Sequence, residues 1–160
     1  MKTIQLTQSK LAIVDDENYE SLSKYKWQAI KIRHTYYAVR SVKKPNPGLI
    51  YMHRQILNTP IGLKTDHINH NGLDNRLINI RICTPSQNNQ NSKCYSKSKS
   101  SKYKGVSWSK YFNCWAARIK YNKHLSHIGY FKTEIEAAKA YNEQAIKLFG
   151  DFACLNCFDS

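Results

Sequence analysis

The sequence predicts an α+β protein: a small β-rich N-terminal region, then a three-stranded antiparallel sheet packed on one helix. Three observations predict it. Short apolar runs bounded by turn formers recur up to residue 83. A segment of 17 residues, Ser86 to Lys102, then holds six Ser, five Asn or Gln and four Lys, and cannot contribute a core. Beyond it, three more β-type runs are followed by one segment of helical periodicity.

Taken in order, Ile4, Leu6 and Leu11–Val14 read as strands, and Asp15-Asp16-Glu17 opens a short polar helix or turn. Tyr36–Val39 and Leu49–Met52 are further β-rich runs, separated by the breaker Lys-Lys-Pro-Asn-Pro-Gly at 43–48. A strand ending near Asp66-His67, a turn at Asn71-Gly72 and a strand Ile78–Cys83 form a hairpin. A polar helix follows, with Ser86 as its expected N-cap. The stretch 92–102 reads as a basic Ser/Lys linker. Strands are then expected at Tyr103–Lys110, Cys114–Tyr121 and His124–Phe131. The closing helix begins at Thr133, where Glu136 completes a capping box, and stops at Gly150. Along it Ala138, Tyr141, Ala145 and Leu148 share one face. On the middle strand Trp115, Ala117 and Ile119 should pack on that helix, leaving Ala116, Arg118 and Lys120 outside. On the last strand, strict alternation sets Leu125 and His127 opposite Ile128 and Tyr130.

The chain has 160 residues, enough for one ordinary domain or two small ones. Lys and Arg number 25 against 11 Asp and Glu, a net charge of +14. No acidic residue occurs in the 59 residues from Asn75 to Thr133, where 12 Lys and Arg fall. Solvated surfaces normally mix their signs, so this stretch reads as facing a polyanion. No apolar run reaches the ~18 residues of a membrane span, and no signal-peptide core is legible at the start. With five cysteines, an odd count, free thiols in a cytoplasmic protein are expected. Cys154-Leu-Asn-Cys157 has zinc-knuckle spacing but lacks a second ligand pair.

Residues 66–81, DHINHNGLDNRLINIR, carry the chemistry. A hairpin bearing Asp and His, followed by a helix bearing Asn, can hold one hard divalent cation. The Asp carboxylate and an Asn carbonyl both suit Mg²⁺, and Mn²⁺ equally. A neutral His can take a proton from water at physiological pH. Together these parts suffice for metal-assisted phosphodiester hydrolysis. Adjacent strand residues point to opposite faces, so the strand must end or twist for Asp66 and His67 to serve one phosphate. His70 reads as a turn residue, and His53 as either a support for the site or a packing residue.

The segment Tyr51–Asn91 resembles the HNH endonucleases, whose fold is the ββα-metal finger, through its Asp-His-Ile-Asn, Asp-Asn-Arg and Asn-Ile-Arg elements. The resemblance implies Asp66 as a metal ligand, His67 as the general base, and Asn79 as the Asn bracing the hairpin through backbone hydrogen bonds. It implies Asn88 as the second metal ligand, with Asn89 and Asn91 nearby. One Mg²⁺ or Mn²⁺ per active site is expected.

The third zone resembles the plant Apetala-two/ethylene-response-factor DNA-binding domain. The resemblance rests on Tyr-Lys-Gly-Val at 103–106, Trp-Ala-Ala-Arg-Ile-Lys at 115–120, Ile-Gly-Tyr-Phe at 128–131, Glu-Ala-Ala-Lys-Ala-Tyr at 136–141 and Ala-Cys-Leu-Asn at 153–156. By it Lys104 matches an Arg that contacts DNA in the plant domains. From strand alternation and charge, Arg118 and Lys120 are expected to face the DNA, Lys104, Lys110, Lys120 and Lys123 to grip phosphates, and His127 to bind beside them. Ser107, Ser109 and Leu125 stand where plant members carry Arg, so the plant target does not transfer. The expected organisation is an HNH domain over 1–91, the linker over 92–102 and a DNA-binding domain over 103–160. The expected function is a site-targeting, homing-type DNA endonuclease that nicks or cuts both strands. It would act on double-stranded DNA as a monomer or weak dimer, with no membrane and no small-molecule substrate. A non-catalytic DNA-binding regulator is the alternative, and an RNA-binding or structural zinc protein a more distant one.

Overall fold

The computed structural model describes residues 1–43, 47–93 and 100–158. The chain is mixed α+β with several small antiparallel sheets, and folds as two compact units, Met1–Asn88 and Asn89–Ser160. Part of the expected linker, residues 94–99 with Cys94, lies outside the described residues. Among the described residues no helix is long and apolar enough to cross a membrane.

In the first unit β1 (Lys2–Gln5) pairs with β2 (Leu11–Val14), and α1 (Asp16–Ser23) follows. A second sheet joins β3 (Gln28–Ile32), β4 (Thr35–Val42) and β5 (Gly48–Tyr51), after which α2 (Met52–Ile56) begins. Strand β3 is absent from the sequence reading because its run, QAIKI, has only three apolar residues and little turn punctuation. The core of this unit gathers Ile4, Leu6, Ala12, Val14, Leu22, Trp27, Ala29, Ala38 and Met52. The Trp27 indole N–H donates to the Leu22 carbonyl at 2.9 Å, which satisfies its one polar atom inside that core.

Strands β6 (Lys64–His67) and β7 (Ile80–Cys83) make a two-stranded hairpin in which Asp66 faces Arg81 and His67 faces Ile80. The intervening loop is not loose. Residues 73–75 lie beside β2, with the Ile13 N–H donating to the Leu73 carbonyl and the Asn75 N–H to the Ile13 carbonyl, both at 2.8 Å. Gly72 lets the loop approach β4 as well: a Cβ there would sit 2.5 Å from the Tyr36 carbonyl oxygen and 2.8 Å from the Tyr37 ring. Helix α3 (Pro85–Gln90) follows. Its cap falls two residues earlier than the expected Ser86. Thr84 is the capping residue: its hydroxyl accepts from the Gln87 N–H, and Gln87 Oε1 accepts from the Thr84 N–H. Pro85 is a favourable first helical residue because it has no N–H to orphan.

In the second unit β8 (Val106–Ser109), β9 (Cys114–Tyr121) and β10 (His124–Phe131) form a meander in the order β10-β9-β8. Helix α4 (Glu134–Phe149) is capped by Thr133 and Glu136 in a complete capping box. It buries Ala137, Ala138, Tyr141, Ala145 and Phe149. Ala117 and Ile119 are buried in the same clusters, and Trp115 packs against them. Gly105, at φ +78°, is needed twice over, since a Cβ there would collide with the Tyr141 ring. The Asn156 side chain bonds both the N–H and the carbonyl of Lys104, and its backbone exchanges two bonds with the Asn142 side chain.

One expectation for β10 fails. The register shifts between His127 and Gly129, so that His127 pairs with Arg118 while Tyr130 pairs with Ala116. Because Ala116 and Arg118 share a face of β9, the bulge returns Tyr130 to the same side as His127. Strict alternation set those two residues opposite each other.

Candidate active site on the β6–β7 hairpin

The local fold explains why the hairpin carries so many buried polar groups. Asp66, His67, Asp74, Asn75 and Asn79 are each at most 6% exposed, and each has a partner. Asn79 spans the hairpin mouth. Its Oδ1 accepts from the Asn69 N–H at 3.0 Å, and its Nδ2 donates to the Asp74 carbonyl at 2.7 Å. Asn69 Nδ2 in turn donates to the Asp74 carboxylate, which also takes two bonds from Arg76 at 2.7 Å. That guanidinium, first through its hydrogen bonds, holds the Asp74 carboxyl below the usual carboxylate range. His70, at φ +64°, closes the turn by donating its N–H to the His67 carbonyl.

The two faces of the hairpin separate its candidate groups. His67 points toward Asn75, with Nε2 and Oδ1 3.3 Å apart, and lies edge-on to the rings of Tyr37 and His53. The Asn75 amide donates to the Leu73 carbonyl and to the Met52 sulfur, which turns its oxygen toward His67. An amide oxygen only accepts, so Nε2 carries the proton and Nδ1 is the basic nitrogen of the ring. Burial lowers the His67 pKa from its ordinary value; the Asn75 bond and the Asp66 and Asp74 charges oppose that shift without reversing it. The imidazole is therefore neutral at physiological pH.

Asp66 lies on the other face, where Arg81 donates to its Oδ2 through Nε at 3.0 Å and Nη2 at 2.9 Å. Cys83 shares this face. Burial raises its thiol pKa, the Asp66 charge adds to that, and Arg81 and the Asn88 backbone N–H oppose it. Among the described residues no group of three His, Cys, Asp or Glu gathers to form a metal site. Of the two expected ligands, Asp66 lies on β6 with its carboxylate engaged by Arg81, and Asn88 lies on α3. Asn89, considered with Asn88 as a ligand, falls in the second unit, as does Asn91.

Sequence reasoning passed over three residues. Asn75 carries no local signal, yet it is fully buried and orients His67. Arg81 follows from register, since pairing His67 with Ile80 sets Arg81 against Asp66. Tyr37 comes from a distant strand and has no local signal. His53, left open between support and packing, is buried with its ring centroid 4.9 Å from that of His67. Its Nδ1 has no hydrogen-bond partner, and burial above all holds its pKa down at about 3.

The expected DNA-contacting residues lie on the second unit. Arg118, Lys120 and His127 are exposed on the sheet face away from α4, with Lys110 and Lys123 exposed at its two turns. The Lys104 ammonium instead donates to the carbonyls of Gln90 and Ser92.

No protein-family model matches this chain, and no solved structure matches it. A protein of Acanthamoeba polyphaga mimivirus, named an uncharacterized HNH endonuclease, is 35% identical over 154 residues, or 92% of this chain and 75% of that protein. Protein 3.8 of Escherichia phage T7 is 40% identical over 60 residues, 38% of this chain and 49% of that protein. Identity of that extent across most of the mimivirus protein makes this chain a member of the HNH endonuclease family.

Proposed function

We propose that the chain is a metal-dependent, site-targeting DNA endonuclease. In this reading the β6–β7 hairpin and α3 act as a ββα-metal finger, and residues 103–160 act as an Apetala-two/ethylene-response-factor type domain that binds double-stranded DNA. The observation that carries it is the orientation of His67: neutral, anchored through Nε2 by Asn75, and basic at Nδ1. That is the state required of a group that takes a proton from water.

His67 Nδ1 accepts the proton of the attacking water, while the Asn75 amide steadies the imidazolium that forms. Asn79 keeps the hairpin mouth closed; Asp66 and His67 leave β6 on opposite faces, so this reading requires the phosphate to sit at the strand end, where β6 stops at His67. Asp66 and Asn88 would hold one Mg²⁺ or Mn²⁺, which when bound neutralises charge on the scissile phosphate and on the leaving 3′ oxygen. Arg81 holds Asp66 until then, and its displacement makes cation binding competitive with the ion pair. Lys110, Arg118, Lys120, Lys123 and His127 bring the polyanion to the chain. Cations of this kind position the backbone without specifying sequence.

One observation favours a second reading, the non-catalytic DNA-binding regulator. The Asp66 carboxylate is already neutralised by Arg81. A single experiment separates the two. Plasmid DNA is incubated with the full chain and Mg²⁺ or Mn²⁺, beside His67→Ala. The endonuclease reading expects nicked or linear product from the wild type and a loss of ~10²–10⁴-fold in the variant. Equal retention of supercoiled DNA by both proteins, with DNA binding intact, establishes the regulator.

A further inference from the structure

The outer face of the β8–β10 sheet carries a feature that phosphate-gripping cations do not account for. Tyr111 and Phe112, at the tip of the β8–β9 turn, are 89% and 54% exposed, and Tyr130 is 45% exposed. Their rings are contiguous. Tyr111 lies 4.7 Å from Phe112, Phe112 lies 4.6 Å from Tyr130, and Tyr130 lies 4.3 Å from the exposed His127, all between ring centroids. Leu125, 64% exposed, shares this face through its pairing with Lys120. Four rings in a line on one open surface are unusual for a soluble domain, which seldom leaves large apolar groups contiguous without a partner. The β10 bulge assembles them, because without it Tyr130 would face α4.

The same surface has a strong electrostatic bias. Arg118 and Lys120 project from β9 beside the rings, and Lys110 precedes the tip. The three strands and their turns contain no acidic residue. A partner must therefore be anionic and present flat, unsaturated faces. Nucleic acid meets both demands, but in a perfect duplex the base faces are stacked and only their edges and the phosphates are accessible. Ser107 and Ser109, which lie on this face, offer little for bidentate reading of edges. Rings gain most where bases are unstacked, with cations tracking the backbone alongside.

We infer that the ladder Tyr111–Phe112–Tyr130–His127 is a stacking platform for unpaired bases of a DNA strand, so that the domain favours bulged, mismatched or melted sites over perfect duplex. This deepens the proposed function and rests on its reading of the sheet as the DNA-binding surface.

The test uses the full chain in EDTA, so that no cutting intervenes. Fluorescence anisotropy compares a labelled 24-base-pair random-sequence duplex, the same duplex with a three-base bulge, the single strand, and a single-stranded RNA of equal length. The wild type is expected to bind the bulged duplex and the single strand about tenfold more tightly than the perfect duplex. It is also expected to quench 2-aminopurine placed in the bulge. Phe112→Leu/Tyr130→Leu, which keeps apolar bulk but removes two rings, should erase that preference while duplex affinity changes less than twofold. Tyr111→Ala, at the fully accessible tip, should weaken it in part and gives a second readout should the double variant fold poorly. Equal wild-type affinity for duplex and unpaired DNA, a preference that survives ring removal, or tighter binding of the RNA overturns the inference. Those outcomes leave plasmid nicking and its loss in His67→Ala untouched. Failure to bind DNA in any form would instead remove the underlying reading.

Discussion

In the β6–β7 hairpin, polar side chains that normally face water are sealed in; in the β8–β10 sheet, rings that normally fill cores are left outside. Both are small antiparallel structures built from short strands of one chain. The hairpin spends hydrogen bonds on holding Asp66, His67, Asp74, Asn75 and Asn79 in place, and a buried polar group without a partner is costly. The sheet forgoes burying Tyr111, Phe112 and Tyr130, which loses about 25 cal/mol for each Å² of apolar surface left in water. Each departs from ordinary burial in the opposite direction. A fixed arrangement of proton-handling groups needs the first, and a surface that waits for a flat partner needs the second.

Asn79→Ala attacks the hairpin side of this contrast hardest. It leaves the Asn69 N–H and the buried Asp74 carbonyl without partners, and should cost about 2–4 kcal/mol in urea unfolding. A loss below about 1 kcal/mol would mean that the polar core is not what holds the hairpin together.

Acid tests the same interior by another route. An unfolded chain protonates His53 at its ordinary pKa of 6.5, whereas the buried imidazole resists protonation down to about 3. Between those values the unfolded state holds more protons, so stability is complete above pH 6.5 and falls as pH drops toward 3. The slope is ~1.4 kcal/mol per pH unit where the difference is one full proton. His67, also lowered, acts in the same direction. Replacing the orphaned imidazole by a ring of similar shape, His53→Phe, should leave stability at pH 7 unchanged or raise it by about 1 kcal/mol. It should also make the acid slope between pH 6.5 and 4 shallower in chemical denaturation. An unchanged slope would place the acid sensitivity elsewhere.

The smallest effect is expected on the sheet. Tyr111→Ala should alter stability by less than about 0.5 kcal/mol in the same assay, because its ring has little to lose on unfolding. A larger loss would show that the ladder is structural, and would blur the contrast with the hairpin.

Local signals in the sequence were enough for much of this architecture. The Thr133–Glu136 pair is a complete capping box, and the alternation of Trp115, Ala117 and Ile119 marks the helix-facing side of β9, although Ala116, expected outside with Arg118 and Lys120, is fully buried. The motif around Asp66-His67 led to the right hairpin because its turn formers and β-branched residues are contiguous. What stayed hidden depends on distance or on register. Tyr37 and His53 come to His67 from other elements, through packing that no local pattern encodes. Arg81 required knowing which residue faces Asp66. The start of α3 was misplaced because Pro85 can end a strand or open a helix, and the Gln87 side chain reaching back to Thr84 decides between them. The bulge in β10 is a matter of one residue, invisible to a period-two pattern.

That bulge makes the exposed face a product of counting rather than of composition. Deleting Ile128 would remove the extra residue, yet Tyr130 would then stand two positions after His127 and alternation alone would keep the two on one face. At the present spacing of three, only the bulge brings these rings together, so straightening β10 with Ile128 retained would send Tyr130 across the sheet and break the ladder.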